Sequence, residues 1–456
     1  MSKKIMVIGG GPGGYAAAIR GAQLGAEVSL AEASQLGGTC LNRGCVPTKA
    51  LLHSAEFFHR AVRGSVAGVK FDGVALDWAG AQARKAEVVG RLRGGVEALL
   101  RHYGVALYPA PAELISGKEV RVDSEILAPE AVILAAGSVN ARLSFPGCDL
   151  PDVLDSASAL DLEAAPKSVV IVGGGVIGME FAALYRMLGA EVRVVEALPE
   201  ILPAADGEIA GCLREMMASE GVRIHTGARV TAAEKTAGGL SVYFEEGGAS
   251  MEILTEKLLI AAGRRPNTAG LGLEAAGIVT ERGAVVTDEY FQTNVPGVYA
   301  VGDCNGQLML AHAAIAQGAA AAEHIMGETP HYHSKAIPSC VYTQPEIAGA
   351  GMTEAQVRQA GIPYKIGRFN LNGNAKALIE DGKGMVKIIA DARLGEILGV
   401  HMIGPRVTEA IGEAAICMNL EGTAEEIAYT VHAHPTVSEA AGEAAMSVFG
   451  KPIHGV

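Results

Sequence analysis

Residues 7–32 read VIGGGPGGYAAAIRGAQLGAEVSLAE, and residues 171–196 read IVGGGVIGMEFAALYRMLGAEVRVVE. The two stretches align without a gap at an offset of 164, and LGAEV recurs at 24–28 and 188–192. Each has an apolar run, then G-x-G-x-x-G, a segment of helical period, and a second apolar run closed by a carboxylate. The glycines are Gly9, Gly11 and Gly14 in the first copy and Gly173, Gly175 and Gly178 in the second. Glu32 and Glu196 each follow the third glycine by 18 residues.

A lone glycine-rich turn says little. Here the strand before, the helix after and the acid at the right distance agree twice, which is the pattern of a dinucleotide-binding βαβ unit. The first glycine permits the tight turn, the second lets backbone approach a pyrophosphate, and the third lets helix and strand pack closely. The helix N-terminus offers that anion free N–H groups and partial positive charge. The glutamates are placed to bond ribose hydroxyls. A 2′-phosphate would be repelled by Glu196, so NAD(H) is expected at the second site in preference to NADP(H). Two such sites in one chain imply one held FAD and one exchangeable NAD. The expected fold class is therefore α/β, with two Rossmann-like dinucleotide-binding domains.

Composition narrows the reading further. A chain of 456 residues is too long for one core. With 49% apolar and 19% charged residues its make-up is that of an ordinary globular protein. The net charge of −13 argues against nucleic acid as a partner, since that requires a cationic footprint. The uncharged stretch 168–179 holds four glycines and is too short to span a bilayer. The opening MSKKIMVIGG runs straight into a strand pattern, without secretory or transit features, so a cytoplasmic location is expected.

Just past the first copy lies GGTCLNRGCVPTK, residues 37–49, with four residues between Cys40 and Cys45. Zinc ligation, a structural staple and a redox disulfide are all conceivable. Zinc would want a second ligand pair, which is not evident nearby, and no metal site is expected. The segment 39–61 reads as a loop entering a helix, with both thiols near the helix start, where the dipole favours thiolate. Lys49, one turn on, adds positive charge. Gly44 and Pro47 permit the irregular backbone that a disulfide at this spacing needs, and a strained, accessible disulfide is the labile kind. Cys148, Cys212, Cys304, Cys340 and Cys417 stand alone and read as small apolar side chains. The cysteine pair adjoins the first site, which is therefore assigned the flavin. TNVPGVYAVGD, residues 293–303, reads as a strand ending on Asp303, whose carboxylate could bond a ribityl hydroxyl. A helix from about Leu310 would follow, its N-terminus aimed at phosphate or a flavin carbonyl.

HAHPTVSE, residues 432–439, places Glu439 five residues after His434. Pro435 keeps His434 off a regular helix, and residues 436–449 read as a helix. A carboxylate within reach would fix the imidazole tautomer and stabilise its protonated form, as a base that takes a thiol proton requires. His432 is the weaker candidate.

Taken together, GGTCLNRGCVPTK, both glycine fingerprints, AAGRRPN (261–267), HAHPTVSE and the ending GKPIHGV resemble the flavin-linked pyridine nucleotide–disulfide oxidoreductases, and among them the dihydrolipoamide dehydrogenase branch, nearly end to end. The resemblance implies that Cys40 is the thiol that meets substrate, that Cys45 lies against FAD, and that the two form a redox-active disulfide. It implies an ion pair of Lys49 and Glu180 beside the flavin on its nicotinamide side. Further cofactor contacts carried over are Gly38, Thr39, Ala112 and Ala311 for FAD, and Ile177, Val230 and Gly263 for NAD. It makes His434 the acid–base and Glu439 its orienter. It also implies a homodimer in which the histidine, about 390 residues from the cysteines, serves the partner subunit's disulfide.

The implied division is an FAD-binding domain of residues 1–146 and 267–335, an NAD-binding domain of 147–266, and an α+β dimerisation domain of 336–456. In the last, MVKIIAD and ILGVHMIG suggest a hairpin. The implied activity is oxidation of a protein-bound dihydrolipoyl group by NAD⁺, on a lipoyl-carrying acyltransferase or lipoyl protein of a 2-oxo acid dehydrogenase or glycine-cleavage system. Two departures from the family pattern stand out: Asn140 replaces a proline, and Ala110 and Ala112 occupy a Gly-x-Gly stretch. Both are expected to alter packing alone. Rival readings are an NADH oxidase-like enzyme and a non-catalytic flavoprotein.

Overall fold

The apolar runs that open the two copies become strands, Lys4–Ile8 and Ser168–Val172, buried almost throughout. A parallel sheet covered by helices on both faces demands this. The computed structural model describes residues 2–64, 68–332 and 334–455, and the elements named here are those of the described residues. After the first strand come helix α1 (Pro12–Gln23) and strand Glu27–Ala31. Helices α2 (Gly38–Arg43), α3 (Cys45–Arg63) and the long α4 (Trp78–His102) follow, with α4 packed back on α3. In the second copy the equivalents are α5 (Val176–Met187) and strand Glu191–Glu196, and α6 (Gly207–Ser219) comes next.

The repeat is far longer in space than in sequence. The first sheet runs, all parallel, Val298–Ala300, Ala131–Leu134, Lys4–Ile8, Glu27–Ala31, Ala106–Tyr108. The second runs Val153–Leu154, Lys257–Ile260, Ser168–Val172, Glu191–Glu196, Arg223–Thr226, again all parallel; its last four strands follow the order of the first sheet, while the edge strand comes from before the repeat instead of after it. Each unit also inserts a three-stranded antiparallel meander before the strand that closes on its centre, residues 112–127 in one and 228–255 in the other. Helix α7 (Ala311–Met326) packs on α1. The two units are stitched together by an antiparallel pair, Ser138–Asn140 with Arg264–Pro266.

The third sheet is antiparallel, in the order Ser339–Val341, Glu346–Gly351, Ile397–Gly404, Met385–Asp391, Tyr364–Asn370, and includes the expected hairpin. Helices α8 (Val407–Asn419) and α9 (Glu439–Val448) pack on it.

Three local expectations are corrected. Cys40 lies in a helix, α2, not in a loop: the chain breaks at Gly44, where a Cβ would come within 2.9 Å of the Thr39 carbonyl oxygen, and restarts at Cys45. The strand before Asp303 ends at Ala300, and Asp303 sits in the 3₁₀ turn Gly302–Asn305. The last helix begins at Glu439 instead of Thr436, because the Glu439 carboxylate takes the Thr436 N–H into a local turn.

The second unit is bolted to the third sheet by a buried charge cluster. Lys387 Nζ, 1% exposed, lies 2.9 Å from Asp206, 2.9 Å from Glu208 and 2.8 Å from Glu354. Asp206 caps α6 and also accepts the Glu354 N–H, while Arg368 holds Glu208 from the same sheet. Lys387→Ala would strand the buried Asp206 carboxylate. The expected loss of stability is about 3–5 kcal/mol, the usual cost of removing one partner of a buried pair, measurable by guanidinium unfolding of the purified protein.

Candidate active site

In both glycine turns the first glycine is left-handed, φ +105° at Gly9 and +107° at Gly173. A Cβ on Gly14 would stand 1.8 Å from the Gly9 carbonyl oxygen, and one on Gly178 1.9 Å from that of Gly173. Helix and strand end are thus in backbone contact. The acids do more than the motif suggests. Glu32 accepts N–H bonds from Gly10 (2.8 Å) and Ser34 (2.7 Å), and Glu196 from Gly174 (2.5 Å) and Leu198 (2.7 Å). Each carboxylate therefore clamps its own glycine turn while its remaining lone pairs face the cleft.

That cleft is continuous, about 2680 Å³, and runs from one turn to the other. Gly9, Gly11, Glu32, Gly38, Thr39, Lys49, Ala112, Asp303 and Ala311 line it from the first unit, and Gly173, Gly175, Ile177, Glu180, Glu196, Val230 and Gly263 from the second. Gly14 and Gly178 lie beneath the turns and make the approach possible. The N-terminus of α7 opens into the cleft at Ala311, and its N-cap residue, Leu310, has no side-chain bond to the helix's free N–H groups. These features fit FAD and NAD: room for backbone at a pyrophosphate, a carboxylate at each ribose position, and a helix dipole at each anion.

Cys40 and Cys45 are on the cleft wall. The expected disulfide is not formed here; both are free thiols. The Cys40 thiol donates to the Cys45 sulfur. That bond is the strongest influence on Cys45, lowering its pKa to about 7 with help from Lys49, against the opposing effects of burial and Glu180. The same bond, with burial, pushes Cys40 up, so Cys45 ionises first. Lys49 Nζ lies 2.7 Å from both Glu180 oxygens. It also sits 4.7 Å from the centroid of the Tyr342 ring, and the Tyr342 N–H donates to Glu180 at 3.1 Å.

Sequence reasoning missed several residues of this site. Tyr342 is one, reaching in from the third sheet. Arg264 is another: its guanidinium bonds Ser138 Oγ, the Ser138 carbonyl and Asn140 Oδ1 at 2.7, 2.7 and 2.6 Å. Ser138 in turn donates to Asp303 at 2.5 Å, and Asn140 to Asp155 at 3.0 Å. Asn140, read as a packing change, is therefore a polar link between the two units. The Ser138–Arg264 register spans 126 residues, and no local pattern announces it. Cys340, read as a lone apolar residue, lines the cleft, with burial raising its thiol to about 11.

His434 and Glu439 are brought together but not to the cysteines. His434 Nδ1 lies 2.8 Å from Glu439, whose other oxygen accepts the Thr436 N–H at 2.8 Å. Burial works to raise the Glu439 pKa, but these bonds outweigh it and hold the carboxyl below its ordinary range. The imidazole is 72% exposed and stands outside the cleft lining. Among the described residues no group of His, Cys, Asp or Glu is arranged to hold a metal, and no helix is long and apolar enough to cross a membrane.

Comparison with known proteins decides the family. Residues 3–318 match the pyridine nucleotide-disulphide oxidoreductase model, and residues 337–445 match the dimerisation domain of the same group. The chain belongs to this family. It is accordingly an FAD- and NAD-dependent oxidoreductase, and its dimerisation domain supports a homodimer. It is 42% identical to the dihydrolipoyl dehydrogenase of Thermus scotoductus, over 99% of this chain and 98% of that one. It is 40% identical to one from Bacillus subtilis, over 99% of each. Among solved structures, LpdA of Mycobacterium tuberculosis matches with a TM-score of 0.90 at 28% identity, over 97% of this chain and 99% of that one. The HOCl-induced flavoprotein disulfide reductase of Escherichia coli matches at 0.87 and 29%, with the same coverage.

In the reduced protein the Cys45 thiolate should appear as pH rises through about 7 and be lost below it. Thiolate absorbance near 240 nm or the rate of iodoacetamide labelling reads this directly. Lys49→Met removes a charge that favours the thiolate and should shift the transition to higher pH.

Proposed function

We propose that the chain is a dihydrolipoyl dehydrogenase, oxidising protein-bound dihydrolipoamide to lipoamide with NAD⁺. The observation that carries this reading is a Cys40–Cys45 dithiol set between two dinucleotide turns in one cleft, in a chain alike over its full length to enzymes of that name. FAD would be held by residues 1–146 and 267–335, NAD by 147–266, and the dimer by 336–456. FAD, when bound, supplies the electron relay between the dithiol and the nicotinamide.

The protein's own part is thiol and proton chemistry. His434, held in one tautomer by Glu439, takes the proton of a substrate thiol. The thiolate attacks Cys40 Sγ of the oxidised pair, forming a substrate–Cys40 disulfide as the Cys40–Cys45 bond breaks. Cys45 leaves as thiolate, and a leaving thiol with pKa near 7 leaves readily. The second substrate thiol then attacks the first sulfur, closing the lipoyl disulfide and releasing Cys40 as thiolate, and the proton of that second thiol passes to Cys40. Substrate loses two electrons and the cysteine pair gains them. Because His434 stands outside its own cleft and is exposed, it is assigned to the partner subunit's cysteine pair. Lipoyl-carrying acyltransferases or lipoyl proteins in the cytoplasm are the proposed partners.

The test is anaerobic: purified yellow protein, dihydrolipoamide and NAD⁺, with NADH followed at 340 nm. Rapid NADH formation is expected, lost in Cys45→Ser and reduced about 10²–10⁴-fold in His434→Ala, the range for a positioned acid–base. A yellow protein that forms no NADH from this dithiol, yet oxidises NADH with oxygen or other disulfides, would overturn the lipoamide assignment.

A further inference from the structure

Beside the His434–Glu439 pair lies a second histidine–carboxylate pair that the reaction above does not use. We propose that His432 is a positioning residue: wedged between α8 and α9, it fixes the segment that carries His434 and so sets where the acid–base meets the substrate thiol. The inference rests on the acid–base reading of His434.

His432 Nε2 lies 2.7 Å from Glu413 Oε1 on α8, and its side chain is 10% exposed against 72% for His434. On the other side the ring rests on α9 at Gly442. A Cβ there would come within 3.3 Å of His432 Nδ1 and 3.4 Å of its Cε1, so the imidazole occupies space that a larger residue would take. Gly442 lies one helical turn beyond Glu439, the residue that orients His434. The histidine pair is thus referenced to one helix at two successive points.

Little else anchors this stretch. From Tyr429 to Pro435, His432 alone is not exposed; Tyr429 is 72% exposed and Val431 97%. Downstream, Thr436 ties back to Ala433 and Asn374 holds the Thr436 carbonyl; upstream, Thr430 bonds the Glu426 carbonyl, a tie to its own preceding turn and not to α8 or α9. Side-chain packing therefore holds the segment on the N-terminal side of His434 through one buried ring. A shift of about 1 Å in a reacting group can cost about 10²-fold in rate, so the loss of such an anchor should be read in the dithiol half-reaction.

The experiment uses the purified holoenzyme and two assays. One is dihydrolipoamide with NAD⁺. The other is NADH with ferricyanide, which draws electrons without a substrate thiol and so without His434. His432→Ala should lower kcat/KM for dihydrolipoamide by about 10–100-fold, leaving ferricyanide reduction and the KM for NAD⁺ unchanged. His432→Gln, which keeps a donor toward Glu413, should recover most of it. Glu413→Ala should reproduce the loss, and the double variant should be no worse than either single one. Should His432→Ala fail to yield holoenzyme, Glu413→Ala is read in its place, with His432→Gln again expected to stay near full activity. If both assays fall together, His432 merely supports the fold and the proposal fails. If neither variant affects dithiol oxidation while His434→Ala abolishes it, the proposal fails and the acid–base reading stands. Full activity in His434→Ala would sink that reading instead.

Discussion

The contact on which the molecule depends is backbone against backbone, where helix α1 crosses the end of strand Lys4–Ile8, and again where α5 crosses Ser168–Val172. At each crossing the third glycine of the fingerprint presses on the carbonyl of the first, at a separation that leaves no place for a side chain. The helix N-terminus is thereby brought down to the strand end, where its free N–H groups and dipole act on the same space. The glutamate at the end of the next strand then accepts the N–H of the residue after the first glycine, Gly10 or Gly174, and locks the turn. The two ends of the cleft are positioned from these two crossings.

Between them the electrostatics are arranged to separate two thiols that are chemically the same. Cys45 opens a helix and has Lys49 one turn away; Cys40 sits in the preceding short helix and donates to it. One sulfur becomes the readily ionised member and the other the protonated one. Lys49 is itself held, by both oxygens of Glu180 and by the face of Tyr342, so its charge cannot wander along the cleft. Tyr342 comes from the third sheet, and that sheet is also tied to the second unit through the buried Lys387 cluster. Nucleotide units and dimerisation domain are thus mechanically one body at the cleft. Buried ion pairs of this sort are poor sources of net stability, and their value here is orientation.

Much of this was legible in the sequence because its causes are local. G-x-G-x-x-G, the acid 18 residues on, and the C-x₄-C segment act within one or two elements, so the nature of the elements, both dinucleotide sites and most cleft residues follow from order along the chain. The errors were local too. Gly44 splits what reads as a loop and helix into two helices because a Cβ there would meet Thr39, and the Glu439 carboxylate delays the last helix by capturing the Thr436 N–H. Asn140 looked like a lost proline and is a link between units, since its partners Arg264 and Asp155 belong to other segments.

By itself, then, the sequence determined two duplicated dinucleotide units, a dithiol beside the first, and a histidine with its carboxylate near the end, because period, turn chemistry and short spacing express contacts between near neighbours. Tertiary structure alone decided that the duplication extends to four strands of each sheet and to the meander, that Arg264, Ser138 and Tyr342 complete the site, that Lys387 joins the second unit to the third sheet, and that His434 stands away from its own cysteines. The contacts of Arg264 with Ser138, Tyr342 with Glu180 and Lys387 with Asp206 join residues more than a hundred apart, and only the packing of sheets against one another brings them within bonding distance.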